Sequence, residues 1–156
     1  MMNQFLKLSP AALSLTFALA LTVPASAQSL PNGEGKEIYE NVCGACHGAD
    51  IVIGSEGTKD RWEETVEAMK NRGASGSDSD FAAVLKYLAV YFGTPVNVNT
   101  VDAKTLSESL NLTAEEGDAI VKARKDSGNF KVYADLAKVQ GVDVKKLDMV
   151  KTRIKF

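Results

Sequence analysis

The chain's two cysteines and its single histidine lie together in the segment Cys43-Gly44-Ala45-Cys46-His47. This CxxCH pattern is typical of covalent attachment of a c-type haem. Two thiols three positions apart on a helical turn can form thioethers with the two vinyl groups of one porphyrin, and the next residue can place its imidazole on the iron. The alternative is a redox-active or structural CxxC disulfide, which usually follows a strand, but no strand-like run precedes Cys43. The pattern therefore predicts one covalently bound haem c, with His47 as an iron ligand.

Composition and charge are those of an ordinary globular protein. The chain has 156 residues, of which 45% are hydrophobic and 24% are charged, and its formal net charge is −2. These values exclude a disordered chain and a polytopic membrane protein. The single histidine also excludes sites that need two, such as an HExxH zinc site or a bis-histidine haem.

The N-terminal segment 1–27 has the pattern of a secretory signal peptide. Lys7 precedes an apolar run over residues 11–23, and Ala25-Ser26-Ala27 supplies a small-x-small cleavage site. The apolar run is shorter than the ~20 residues that a membrane-spanning helix needs. We therefore predict a cleaved signal peptide over residues 1–27, no membrane span in the mature chain, and export to the oxidising periplasm.

Charge and a helix-stop signal divide the remaining chain in two. Residues 28–96 hold 6 Lys and Arg against 11 Asp and Glu, a net charge of −5, whereas residues 97–156 hold 11 against 9, a net charge of +2. Gly93-Thr94-Pro95 lies near this change and ends a helical pattern. The predicted organisation is an all-α chain with one domain over residues 28–95 and a second over residues 96–156.

The first of these domains resembles small class I cytochromes c. Its apolar periodicity predicts helices over Gly33–Cys43 and Asp60–Asn71 and a third that begins after the cap Ser77–Asp80. The resemblance covers about residues 33–93. It rests on the CxxCH motif and on the residues Gly35, Tyr39, Trp62, Thr65, Val66, Met69, Gly73, Ala74, Tyr87 and Leu88. It implies a haem-binding domain that transfers single electrons, of a kind that also occurs in periplasmic dehydrogenases.

The second axial ligand is predicted to be Met69. After the signal peptide the chain offers only Met69 and Met149 as thioether donors, and Met149 lies in the other predicted domain. Met69 lies just before the loop that leads to the last predicted helix of its domain. The resemblance to class I cytochromes c, which use a His/Met pair, implies the ligand at this place. Three alternatives stay open: a core methionine beside Trp62, a lysine ligand (Lys59 or Lys70), or an open iron site.

The second half contains a pseudo-repeat, in which Leu106 is equivalent to Leu136 and Ile120 to Val150. Each unit has a helix, a tight hairpin and a helix. The predicted helices are Lys104–Leu110, Thr113–Asp126, Tyr133–Val139 and Val144–Ile154. The segment resembles the ComEA-like double helix-hairpin-helix module of competence DNA receptors, which implies the same helical fold.

DNA binding by this module is predicted to be weak. The DNA-binding members of that family present a Gly-hydrophobic-Gly hairpin whose backbone N–H groups approach a phosphate. Here the first hairpin has Asn111 and Thr113 in place of both glycines, and Asp143 follows Val142 in the second. The basic residues that remain are Lys122, Arg124, Lys125, Lys145, Lys146, Lys151 and Arg153. We therefore expect the module to contribute packing or protein contacts.

The sequence as a whole predicts a periplasmic monohaem c-type cytochrome. We expect it to transfer electrons to and from a periplasmic redox partner protein without being an enzyme itself. Three alternatives stay open: a DNA-uptake or DNA-tethering module that carries a haem, a haem subunit of a periplasmic dehydrogenase, and a gas or redox sensor with a vacant sixth iron site.

Overall fold

The computed structural model describes residues 29–156, and the predicted signal peptide lies outside the described residues. Seven α-helices dominate this part of the chain, joined by two 3₁₀ turns and one pair of short strands. The helices are α1 (Lys36–Cys43), α2 (Lys59–Asn71), α3 (Asp78–Tyr91), α4 (Ala103–Leu110), α5 (Ala114–Ser127), α6 (Tyr133–Leu136) and α7 (Val144–Met149). The 3₁₀ turns are Ala49–Val52 and Lys151–Arg153, and the strands are β1 (Val96–Asn97) and β2 (Ile154–Lys155). The expectation of a mainly helical chain is confirmed, and none of these helices is both long enough and apolar enough to span a bilayer.

Helix starts follow the capping residues in the sequence. The Ser77 hydroxyl accepts a hydrogen bond from the N–H of Asp80, and the Asp80 carboxylate accepts one from the N–H of Ser77. Such reciprocal bonds satisfy N–H groups that have no partner within the helix. Helix α1 begins at Lys36, three residues later than predicted, because Gly35 has a left-handed φ of 89°. A side chain at position 35 would also approach the Ala83 carbonyl oxygen on α3 to 3.0 Å, so a glycine is needed there.

Helices α1, α2 and α3 pack together, and α4 to α7 form the second half. One contiguous set of buried side chains runs through both halves, from Tyr39 and Trp62 to Leu106 and Leu147. Strand β1 follows α3 and pairs in parallel with β2 at the other end of the second half, with Val96 opposite Ile154. The end of the second half therefore pairs with the segment that joins the two halves.

The prediction of one long helix over Val144–Ile154 is wrong. Helix α7 ends at Met149, and the chain continues as a 3₁₀ turn and then as β2. This path turns Arg153 into the interior, where only 5% of the residue is exposed. Helix α6 is also shorter than predicted: it ends at Leu136 rather than at Val139.

Arg153 binds backbone carbonyl groups from both halves of the chain. Its Nη1 donates to the carbonyl oxygen of Val90 and, at 2.8 Å, to that of Ser109, and its Nη2 donates to that of Thr94 at 3.0 Å. Burial lowers the pKa of Arg153 to about 10, so the guanidinium remains charged at neutral pH. Gly93 makes room for it, since a Cβ there would collide with Nη2.

Replacing Arg153 by methionine should destabilise the whole described fold. Arg153→Met keeps much of the aliphatic volume but leaves three backbone acceptors without their charged donor, a loss of about 3 kcal/mol. The melting temperature should fall by about 10 °C in a circular-dichroism melt. Lys138→Met, which removes an exposed cation, should leave it within about 1 °C. Equal melting temperatures for the two variants would contradict this role.

Candidate functional site

A cavity of about 450 Å³ lies among α1, the first 3₁₀ turn, α2 and α3. This volume is within the range of small-molecule and cofactor sites. Most of the lining side chains are apolar, and those of Cys43, Cys46, His47 and Met69 all face the cavity. The other lining residues are Tyr39, Val42, Ile51, Val52, Ser55, Trp62, Thr65, Val66, Arg72, Ala74, Phe81, Val84 and Leu88.

The two cysteines lie on either side of the C-terminal end of α1. Cys43 is the last residue of that helix and is half-buried, whereas Cys46 lies in the following turn and is exposed. Both thiols are free in this structure. Burial raises the pKa of the Cys43 thiol above its ordinary value, so its thiolate is scarcer at a given pH.

His47 follows in the same turn, with an exposed imidazole. Its Nδ1 lies 3.3 Å from the carbonyl oxygen of Gly48. A carbonyl oxygen can only accept, so Nδ1 is the donor in this hydrogen bond. In a neutral imidazole with its proton on Nδ1, the lone pair is on Nε2. Histidines that bind metals commonly donate their other ring N–H to such a group, which fixes the tautomer.

Tyr39 fixes the turn that follows the CxxCH motif. The tyrosine is buried in α1, and its hydroxyl donates to the carbonyl oxygen of Ala49 at 2.8 Å. This bond attaches the 3₁₀ turn Ala49–Val52 to α1, so the loop carrying Cys46 and His47 is held at both ends. Burial, the nearby Cys43 and Asp50 raise the pKa of Tyr39 to about 12, so the hydroxyl keeps the proton that it donates.

Met69 lies in the last turn of α2 and is half-buried. Its backbone carbonyl accepts from the N–H groups of Arg72 and Ala74 at 3.1 and 3.0 Å, so the end of the helix is well fixed around it. Met149 does not line the cavity. It is 42% exposed, and its sulfur accepts a hydrogen bond from the Tyr91 hydroxyl at 3.8 Å.

The two candidate lysine ligands do not line the cavity either. Lys70 forms an ion pair with Glu67 at 3.0 Å and lies 5.3 Å from the centre of the Phe81 ring. Lys59 is exposed at the first position of α2. The lining residue with a permanent positive charge is instead Arg72, which sequence reasoning missed. Its position directly after the end of α2, three residues after Met69, was the available signal.

Trp62 connects the cavity wall to the second half of the chain. Its indole ring is buried against the cavity, and its Nε1 donates to the carbonyl oxygen of Phe92 at 3.0 Å. The N–H of Gly57 donates to the same oxygen, also at 3.0 Å. Arg153 binds the carbonyl groups of Val90 and Thr94, on either side of Phe92. Trp62 in the cavity wall and Arg153 in the second half are therefore bound to the same short segment, residues 90–94.

Each hairpin of the second half contains one residue in the left-handed conformation, although the first hairpin has no glycine. Asn111 adopts the left-handed conformation with φ 54°, which asparagine tolerates, and Gly141 does so with φ 84°. Thr113 and Asp143 are the N-caps of α5 and α7. The Asp143 carboxylate, predicted to stand near a phosphate position, accepts instead from the N–H of Lys145 at 2.9 Å.

Five of the seven basic residues predicted to keep this face basic have other partners. Arg153 is buried, and Arg124 donates to the carbonyl oxygens of Val98 and Val101. Lys122 pairs with Asp126, and Lys146 pairs with Glu116. The Lys151 ammonium lies 4.3 Å from the centre of the Tyr133 ring. The face is therefore less basic than the sequence indicated.

Glu116, which sequence reasoning did not single out, is buried between the two hairpins with 6% of the residue exposed. Burial alone would raise its pKa, but hydrogen bonds from Lys146, Thr113 and Asp143 lower the pKa below its ordinary value. The sequence feature that could have identified Glu116 was its capping-box spacing from Thr113.

The burial difference between the two cysteines predicts different reactivity in protein made without haem. Cys46 should react with iodoacetamide several times faster than Cys43 at pH 8, because the thiolate is the reactive form and the pKa of Cys43 is raised by burial. Mass spectrometry of Cys43→Ser and Cys46→Ser would give each rate separately. In denaturant the two rates should converge, and faster reaction of Cys43 in the folded chain would contradict the prediction.

Comparison with known proteins identifies the second half. Residues 92–155 match the family model described as the helix-hairpin-helix motif. The chain matches no curated protein and no solved structure. The segment that contains both hairpins is therefore a helix-hairpin-helix domain.

Proposed function

We propose that the chain is a periplasmic monohaem c-type cytochrome whose helix-hairpin-helix domain contacts a partner protein. The observation that supports this most strongly is that Cys43, Cys46, His47 and Met69 line one cavity. They supply two thiols, one imidazole and one thioether, which is the donor set that a covalently bound haem with His/Met ligation requires.

The cavity's composition fits the proposed haem. Its apolar walls suit a macrocycle with two flat hydrophobic faces, and Phe81, Val84 and Leu88 of α3 are among the apolar residues that line it. Three short helices make a small core on their own, and a buried prosthetic group would add apolar contact to it. Arg72 supplies a positive charge for the haem's carboxylates.

Each residue has a separate role in this proposal. Cys43 and Cys46 would hold the group through thioether bonds, and His47 and Met69 would bind its iron. The contact between Nδ1 of His47 and the Gly48 carbonyl would leave Nε2 available, and the apolar wall would exclude water from the iron. A haem c bound there supplies one iron that exchanges a single electron with a partner. The proposal includes no catalytic residue, so the protein would transfer electrons without being an enzyme.

The helix-hairpin-helix domain has a structural part in this proposal. Its Arg153 binds the 90–94 segment that also receives the hydrogen bond from Trp62. A domain attached so closely to the cavity wall is suited to present the haem side of the molecule to another protein. The partner would be a periplasmic redox protein.

The first consequence is that haem should stay on the chain through denaturation, because thioether bonds survive unfolding whereas axial ligands do not. After export in a host that matures c-type cytochromes, haem should remain with the protein in acidic organic solvent. Cys43→Ser and Cys46→Ser should each reduce attachment, and the double variant should abolish it. Complete extraction of haem from the wild-type protein would disprove covalent binding.

The second consequence concerns Met69. A thioether ligand favours ferrous iron and raises the reduction potential. Met69→Ala should therefore lower the potential, remove the weak sulfur-to-iron absorption band of the ferric protein and open the ferrous iron to CO. Met149→Ala is the matched control, because its sulfur lies outside the cavity, and it should change none of the three. A Met69→Ala protein with an unchanged band would require another sixth ligand.

A further inference from the structure

Residues at equivalent positions of the two hairpins lie close together in the helix-hairpin-helix domain. The same pseudo-repeat that relates Leu106 to Leu136 relates Thr113 to Asp143 and Glu116 to Lys146. Thr113 and Asp143 are N-cap residues, and Glu116 and Lys146 lie three positions into the following helices. The structure brings these four residues together, so the two units face each other across this group.

Glu116 binds both hairpins at once. Its Oε2 accepts from the backbone N–H of Thr113 at 2.6 Å, and its Oε1 accepts from the backbone N–H of Asp143 at 2.9 Å. The ammonium group of Lys146 donates to Oε2 at 2.7 Å. The carboxylate thus has one backbone donor from each hairpin and one cationic partner.

These contacts go beyond an ordinary helix cap. A capping box needs only the reciprocal bonds between Thr113 and Glu116, which are both present. The bonds to Asp143 and Lys146 join a second hairpin to the same carboxylate. Glu116 is also buried, so the two hairpin N–H groups point at an internal anion and not at solvent.

We propose that Glu116 determines what this domain can bind, because its carboxylate occupies the backbone N–H groups of both hairpins and excludes an external phosphate from them. A phosphate would carry the same sign of charge to the same donors. It would have to displace a carboxylate held by three charge-assisted hydrogen bonds, which are stronger than neutral ones. The domain is thereby restricted to partners other than nucleic-acid backbones, and this inference is independent of the proposed haem.

The test compares variants of the full mature chain for binding to a fluorescent DNA duplex by anisotropy. The wild type should bind weakly at physiological salt. Glu116→Ala removes the internal anion and should tighten binding at least about tenfold, with a steeper dependence on salt because each new phosphate contact releases counterions. Glu115→Gln is the matched control: it removes the same charge from the adjacent, exposed position and should change affinity less than about threefold.

A second readout locates the effect. In Glu116→Ala, the backbone amide resonances of Thr113 and Asp143 should shift when inorganic phosphate is added, whereas in the wild type they should not. If Glu116→Ala does not fold, as judged by circular dichroism, Glu116→Gln is used, because it keeps one acceptor for the hairpins while removing the charge. Its affinity gain should be smaller but still exceed that of Glu115→Gln.

Three results would overturn the proposal. One is tight binding by the wild-type chain at physiological salt. Another is an equal gain in Glu115→Gln and the folded Glu116 variant, which would indicate a general charge effect. The third is a folded Glu116 variant that binds no better than the wild type.

Discussion

The structure depends on the short backbone segment 90–94, which is bound from two sides. From the first half, Trp62 and Gly57 both donate to the carbonyl oxygen of Phe92. From the second half, the buried Arg153 guanidinium donates to the carbonyl oxygens of Val90 and Thr94. A buried cation is costly unless polar partners surround it, and here backbone oxygens supply them. The buried Arg153 guanidinium therefore keeps its bonds to Val90 and Thr94 only while the two halves pack together, and its Nε has no hydrogen-bond partner among the described residues.

This constraint gives the cavity a rigid wall. Trp62 is both a lining residue and a donor to the joining segment, so its ring is fixed at the same time by packing and by a hydrogen bond. On the other wall, Tyr39 fixes the loop that carries Cys46 and His47. Preorganised walls of this kind would suit the proposed electron-transfer site, because small structural changes between two oxidation states make the transfer easier. In the proposed function the helix-hairpin-helix domain is a support, and Glu116 binds the backbone N–H groups of Thr113 and Asp143 internally.

Local signals in the sequence predicted most of the helices. Ser77 and Asp80 determine the start of α3. Cys43, Cys46, His47 and Met69 line one cavity, and their role in holding a haem stays a prediction. What the sequence could not predict depends on contacts between distant segments. The helix expected over Val144–Ile154 ends at Met149 because β2 pairs with β1, from the other end of the second half, and because Arg153 turns inward. The partners of Glu116 and the cavity position of Arg72 likewise require the tertiary structure.

Covalent attachment of one haem by Cys43 and Cys46 is the proposal on which the other proposed roles depend. The most direct measurement is mass spectrometry of the tryptic peptide that spans residues 37–59, taken from mature protein exported by a host that attaches haem to such motifs. This peptide contains both cysteines and His47. Under this proposal, the peptide carries the added mass of one haem and has no thiol left for alkylation. An unmodified peptide with two alkylated thiols, or one with an internal disulfide, would contradict it.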